Sequence, residues 1–445
     1  MGSHSFAALM SAFACVGMCV GRGIALPSSP TPTDIEAIVQ KIVEEKASKY
    51  NCTIAVSVKV PTVNSGIPIS AAAGYVDIPN AVPASRDDVF VWGSITKMST
   101  GAAILKMVEN KRLGLDEPIY PHCDAMLKKM KTWNPKQNFS SLAELFGNDS
   151  RKVTVRQAAS MKSGIPDFDT AKPYPRPPTD TFRATVYENP KREYGPADLL
   201  SVPWVATGSL DFTPGTKTRY SSTNFVLLGL VLASLSGADN WDLYDQSSFL
   251  PPEVHKLMRS TRYATHGAPL NWTRVKGYDR TSYNGHDPTA LPGLDVYDVS
   301  GVYSGWSASD FTSSVQDAAE FVYALYGPQE EIISKEFIDV MIPKNDFYGF
   351  ATFNLTRHTG QTGKYGTAVG HLGATYGYDS ILAYMPGADF GVAVASNMEN
   401  DDQVHPADAF CSVYNDVKNR LTGERTKCEF APGGYYTGGC KCTDS

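Results

Sequence analysis

Ser94 and Lys97 stand three residues apart in "VWGSITKMST", where an amphipathic pattern begins. Positions i and i+3 share one face of a helix, so the two side chains can meet. A serine hydroxyl is a poor nucleophile until a base takes its proton. A lysine can be that base when burial and neighbours lower its pKa. The start of a helix also favours a developing oxyanion. The spacing alone is a weak signal, because about one or two Ser-x-x-Lys strings arise by chance at this length. What surrounds the pair therefore carries the argument.

The flanking sequence supplies a frame. Asp34 can cap a helix through about Lys49, with Ile35, Ile38, Val39 and Ile42 at helical spacing. "CTIAVSVKV" alternates as a strand does, and "IPISAAAGYVDI" reads as its hairpin partner. After Ser94, the residues Met98, Ile104, Leu105 and Val108 predict a helix ending near Arg112-Leu113-Gly114. "NFVLLGLVLASLSG" (Asn224–Gly237) is apolar enough for a buried helix, and "SSVQDAAEFVYALYG" is a further helix. "YDSILAYMPGADFGVAVASN" predicts two strands joined at Pro386-Gly387, and "HPADAFCSVYNDVKNRLTG" a C-terminal helix. "AKPYPRPPTDTF" and "YENPKREYGP" are Pro-rich loops, and the Tyr/Trp/Gly-rich stretch 271–306 is the kind of loop that lines clefts. Strands at both chain ends around a helical middle predict an α/β fold. Its antiparallel sheet is flanked by helices and carries an inserted, mainly helical lobe.

Four segments, in order, resemble the serine β-lactamase and penicillin-binding-protein-like superfamily, nearest its class C-like branch. They are "VFVWGSITKMSTGAAILKMVENKRLGLDEPI", "VTVRQAASMKSGIPDFD", "FTPGTKTRYSSTNFVLLGLVLASLSG" and "VGHLGATYGYDSILAYMPGADFGVAVASN". The resemblance spans about residues 35–422 and implies an acyl-enzyme on Ser94. It implies that Lys97 and Tyr220 move the proton. Ser222 stands where the family's second motif has Asn; it reaches less far and offers one donor instead of two. The third motif is His371-Leu372-Gly373, in the His-x-Gly form also found in esterase-like and peptidase-like members. His371 is expected to orient Tyr220 or to bind a substrate carboxylate, and Gly373 to let the backbone approach the substrate. Ala374 N–H, with Ser94 N–H, is expected to form the oxyanion hole. A second His-x-Gly, at His358, lies in the polar stretch "TRHTGQTGKYG" and is the weaker choice.

The resemblance implies a serine hydrolase for esters or small amide and D-amino-acid substrates, with no cofactor and no metal. Two alternatives stay open: a β-lactamase or D-Ala carboxypeptidase, and a catalytically silent relative that binds a ligand.

The 445 residues carry 42% apolar and 19% charged side chains, so a large core is available. A net charge of -6 without a basic stripe excludes nucleic acid as a natural partner. The apolar run Phe6–Gly21, followed by small residues at Gly23 and Ala25, predicts a signal peptide over 1–25 and a Pro/Ser linker over 26–34. Beyond it no stretch is apolar enough to span a membrane. Sequons at Asn51, Asn138, Asn148, Asn271 and Asn354 agree with secretion. So do the cysteines left after the signal: Cys52, Cys123, Cys411, Cys428, Cys440 and Cys442. Their even number predicts disulfides and no free thiol, with the pairing open. Residues 423–445 are expected to form a Gly/Cys-rich tail. The sequence does not set the oligomeric state.

Overall fold

The structure, a computed structural model, describes residues 29–169, 182–267, 275–282, 284, 289–344, 346–433 and 438–444. The expected signal peptide, the sequon at Asn271 and most of the Pro-rich stretch after Asp169 lie outside the described residues.

Helix α1 (Pro32–Tyr50) leads into strand β1 (Ile54–Lys59) and its hairpin partner β2 (Ile69–Ala73). Helix α2 (Thr96–Glu109) follows the nucleophile, and α3 (Thr223–Ser236) and α4 (Val315–Tyr326) come later. Strands β3 (Phe353–Asn354), β4 (Val369–Thr375), β5 (Tyr378–Met385) and β6 (Phe390–Ser396) precede helix α5 (Val404–Thr422). The sheet runs β3-β4-β5-β6-β1-β2 with every neighbour antiparallel. Both chain ends thus meet at its centre, where Ile54 faces Ser396.

Side chains alternate across a strand, and the neighbours of β6 show which helix covers which face. Phe390 stacks on Tyr414 of α5, whereas a Cβ on Gly391 would lie 3.0 Å from Val322 of α4. Helices α5 and α4 therefore cover opposite faces. Ser380 of β5 hydrogen-bonds Trp92 O at 3.1 Å, which ties the nucleophile segment to the sheet. The helical lobe is built on α3, which is buried nearly all round. A Cβ on Gly229 would lie 2.0 Å from Ser307 Oγ, so glycine lets the turn at Trp306–Ala308 press against α3.

Three expectations are corrected. The N-cap of α1 is Thr31, whose hydroxyl accepts from Asp34 N–H while the Asp34 carboxylate accepts from Thr31 N–H; Asp34 is thus the third residue of a capping box, not the cap. The expected tail after Gly423 contains a hairpin, β7 (Thr426–Ala431) with β8 (Gly439–Asp444). Disulfides Cys411–Cys440 and Cys428–Cys442 fasten it to α5 and to itself. Cys52 and Cys123 are free thiols, each fully buried at a separate point of the core.

Candidate active site

The nucleophile segment is held from two sides. Val89–Val91 pairs with Phe311–Ser314, and the Trp92 indole donates to Ser313 O at 2.8 Å. The chain then makes a tight turn, Gly93–Ile95, that runs into α2 at Thr96. Gly93 has φ +53°, and a Cβ there would lie 2.5 Å from Ala374 O. Glycine alone tolerates that left-handed backbone together with so close an approach. Ser94 is thereby set against β4.

Lys97 is completely buried, with Nζ 2.8 Å from Ser94 Oγ and 3.0 Å from Ala308 O. Burial pulls its pKa from 10.5 down to about 7, while the Asp167 and Asp169 carboxylates favour the ammonium. Such a lysine loses its proton near neutrality and can accept the proton of Ser94. Tyr220 completes the group. Its ring centroid lies 5.1 Å from Lys97 Nζ. Burial raises its pKa, and the hydroxyls of Ser94 and Ser222 nearby oppose the rise. The geometry brings together Ser94, Lys97, Tyr220 and Ser222.

A cavity of about 70 Å³ opens beside Ser94. Ser222 and Ala374 line it, as do three charged residues, Asp169, Arg183 and Glu399. Arg183 is committed already: it gives two hydrogen bonds to Glu399, at 2.6 and 2.8 Å, and one to Asp279. Burial raises the pKa of Glu399 against the pull of Arg183. Among the described residues, the Arg183–Glu399 pair cancels and Asp169 remains as the further charge on the cavity wall.

Two site expectations change. His371 has no exposed surface and does not line the cavity. Its Nδ1 lies 2.5 Å from Leu372 O and its Nε2 3.0 Å from Tyr348 Oη, so both nitrogens are taken. Burial first, and Lys97 second, push its pKa well below the ordinary value, which leaves it neutral. It stands behind Tyr220, with ring centroids 6.3 Å apart, and is not placed to hold a carboxylate. Gly373 serves packing, because a Cβ there would lie 2.1 Å from Trp92 O and 2.2 Å from Ser380 Oγ. The absent side chain admits the nucleophile strand. His358 is also buried, in a short helix (Thr356–Thr359) instead of a polar loop.

Sequence reasoning misses Asp167. It is 8% exposed and accepts Ser222 N–H at 2.8 Å, while the next residue, Phe168, donates its N–H to Thr223 Oγ1 at 2.9 Å. Burial, and then Asp169, raise its pKa. The "SGIPDFD" turn is thus latched to the start of α3, and its carboxylate faces Lys97. The available signal was a pair of acids flanking Phe168 directly after the Ser-Gly-Ile-Pro turn. Arg183, Asp279 and Glu399 had no signal, being far apart in the chain. Among the described residues, one group of three possible metal donors occurs, Cys428, Cys440 and Cys442, and their sulfurs are in disulfides.

The fold agrees with the comparisons. The chain is 21% identical over 345 residues to Protein flp of Staphylococcus aureus (strain NCTC 8325 / PS 47), covering 76% of this chain and 58% of that protein. It is 24% identical over 304 residues to the serine beta-lactamase-like protein LACTB, mitochondrial, of Mus musculus, covering 58% and 52%. The chain thus matches a little over half the length of these curated relatives. Among solved structures, D-amino acid amidase from Ochrobactrum anthropi SV3 in complex with D-phenylalanine superposes with a TM-score of 0.65 at 18% identity, covering 87% of this chain and 99% of that one. D-stereospecific amidohydrolase from Streptomyces sp. gives 0.62 at 21%, covering 88% and 99%. These share the β-lactamase/transpeptidase-like fold. The family model described as Beta-lactamase matches residues 56–410, and the chain belongs to that family of serine β-lactamase-like hydrolases.

Proposed function

We propose that this protein is a serine hydrolase acting on small esters or amides through an acyl-enzyme on Ser94. The observation that carries the reading is the 2.8 Å contact between Ser94 Oγ and a wholly buried Lys97 whose pKa is about 7. Neutral Lys97 takes the Ser94 proton as Oγ attacks the carbonyl carbon. The N–H groups of Ser94 and Ala374 stabilise the oxyanion. Tyr220 passes a proton to the leaving group as its bond to carbon breaks, and recovers one from Lys97. Water then attacks the acyl-enzyme, its proton passing through the Tyr220 hydroxyl to neutral Lys97 and on to Ser94 Oγ as the acyl bond breaks.

The charges favour esters and amides over β-lactams. A penicillin carries a carboxylate, but His371 is buried and neutral, Arg183 is committed to Glu399 and Asp279, and Lys97 must be neutral to act. Asp169 in the wall instead suits a substrate with a free amine, such as an amino-acid amide. The likeness to D-amino acid amidase supports that second reading. The test is labelling with a fluorophosphonate together with turnover of a short-chain aryl ester. Both are expected in the protein and neither in Ser94→Ala. A protein that folds but does neither is the silent ligand-binding relative.

The same proposal includes secretion, supported by the disulfides that hold the C-terminal hairpin. Thiol titration of the unfolded, unreduced mature chain is then expected to find Cys52 and Cys123 alone. Six reactive thiols would reject it.

A further inference from the structure

Among the described residues, what lies behind Tyr220 is a set of rings. Phe353 is stacked nearly parallel to it, at 15° and 5.9 Å. Tyr348 meets it edge-on, at 90° and 5.9 Å. Tyr348 also meets Phe353 edge-on at 4.7 Å and His371 at 5.5 Å. It is 1% exposed, so its hydroxyl requires a partner inside the protein, and that partner is His371 Nε2 at 3.0 Å. The direction of this hydrogen bond follows from the other nitrogen. His371 Nδ1 faces a carbonyl oxygen, Leu372 O, and must carry the proton. Nε2 is then a lone pair, and the Tyr348 hydroxyl donates to it. The bond fixes the imidazole tautomer and pins Tyr348 in the plane that its contact with Tyr220 requires.

We propose that Tyr348 is a positioning residue for Tyr220: anchored on His371, it holds the Tyr220 ring at the angle from which the phenol reaches the leaving group. This rests on the reading that Tyr220 relays protons. The chemistry makes it separable from a merely structural role. A nitrophenolate leaves without needing a proton, whereas an anilide nitrogen must be protonated as its C–N bond breaks. Loosening Tyr220 therefore harms the anilide selectively.

The experiment measures kcat and KM for a nitrophenyl ester and an anilide of one acyl group, in the full chain and in Tyr348→Phe, Tyr348→Leu and Tyr220→Phe. The quantity read is the anilide-to-ester ratio of kcat/KM, which reports acylation, the step in which the leaving groups differ, and does not depend on the fraction of protein folded. Tyr348→Phe is expected to lower that ratio about 10-fold with the anilide KM within about 2-fold, and Tyr348→Leu to lower it further. An unchanged ratio in both Tyr348 variants, with the Tyr220→Phe ratio reduced, would overturn the positioning role and leave the relay standing. An unchanged ratio in Tyr220→Phe would overturn the relay and this inference together.

Discussion

Replacing Asp167 with asparagine should make the enzyme active at lower pH. The drop of Lys97 from 10.5 to about 7 corresponds to about 5 kcal/mol against the ammonium. That is already a net figure, because the Asp167 and Asp169 carboxylates act the other way. A neighbouring opposite charge is worth on the order of 1–3 pKa units. Only neutral Lys97 accepts the Ser94 proton, so kcat/KM rises with pH and levels off, with a midpoint near 7. In Asp167→Asn one stabilising charge is gone, the lysine loses its proton at lower pH, and the midpoint moves down by about 1 unit or more. The other charges facing Lys97 stay: Asp169 remains, and His371 is neutral. The asparagine oxygen can still accept Ser222 N–H, now held at 2.8 Å, so the latch to α3 persists. The assay is kcat/KM for a nitrophenyl ester between about pH 5 and 9, in a buffer of constant ionic strength. A midpoint that stays in place or moves up would refute the assignment of the limb to Lys97 under the influence of Asp167.

Further outcomes follow from the same geometry. Lys97→Ala and Tyr220→Phe should each lower kcat by about 10²–10⁴, and the double variant by much less than the product, because groups that act as a unit are non-additive. A multiplicative loss would separate the two residues. Gly93→Ala should lose about 10²-fold in activity and at least about 2 kcal/mol in urea-unfolding stability. Its Cβ would meet Ala374 O at 2.5 Å in a backbone with φ +53°, and wild-type behaviour would contradict that packing. A short-chain aryl ester should be hydrolysed with higher kcat/KM than a chromogenic cephalosporin. The reverse preference would require a cation for the carboxylate.

The sheet and its principal helices were legible because their periodicity is local. The alternation of "CTIAVSVKV" and the uninterrupted apolar run after Asn224 can each be satisfied by one kind of element. Ser94 and Lys97 were legible for the same reason, being one turn apart. Tyr220, Ser222, His371, Gly373 and Ala374 came through family resemblance and not through spacing. What the sequence concealed is direction and distance. His371 and Gly373 alternate onto one face of β4, and that face meets buried protein, not the cavity. Arg183, Asp279 and Glu399 come together from far apart in the chain, and no local pattern marks such a group, whereas Asp167 carried a signal in the acids flanking Phe168. The free thiols were misjudged because an even number of cysteines says nothing about how far apart the fold places them.

Gly93 has one further consequence. It presses the nucleophile turn, the first piece of the helical lobe, against β4, the strand that carries Ala374. Ser94, Lys97, Tyr220 and Ser222 belong to the lobe, and Ala374 to the sheet. On the proposed mechanism the working site is thus a seam between lobe and sheet, and a gap of an ångström there would part Ala374 from Ser94 without unfolding either side. Small openings of this kind cost less free energy than global unfolding. Catalysis should then fail at a lower urea concentration than the one that melts the sheet, making turnover a more sensitive gauge of this protein's integrity than its circular dichroism.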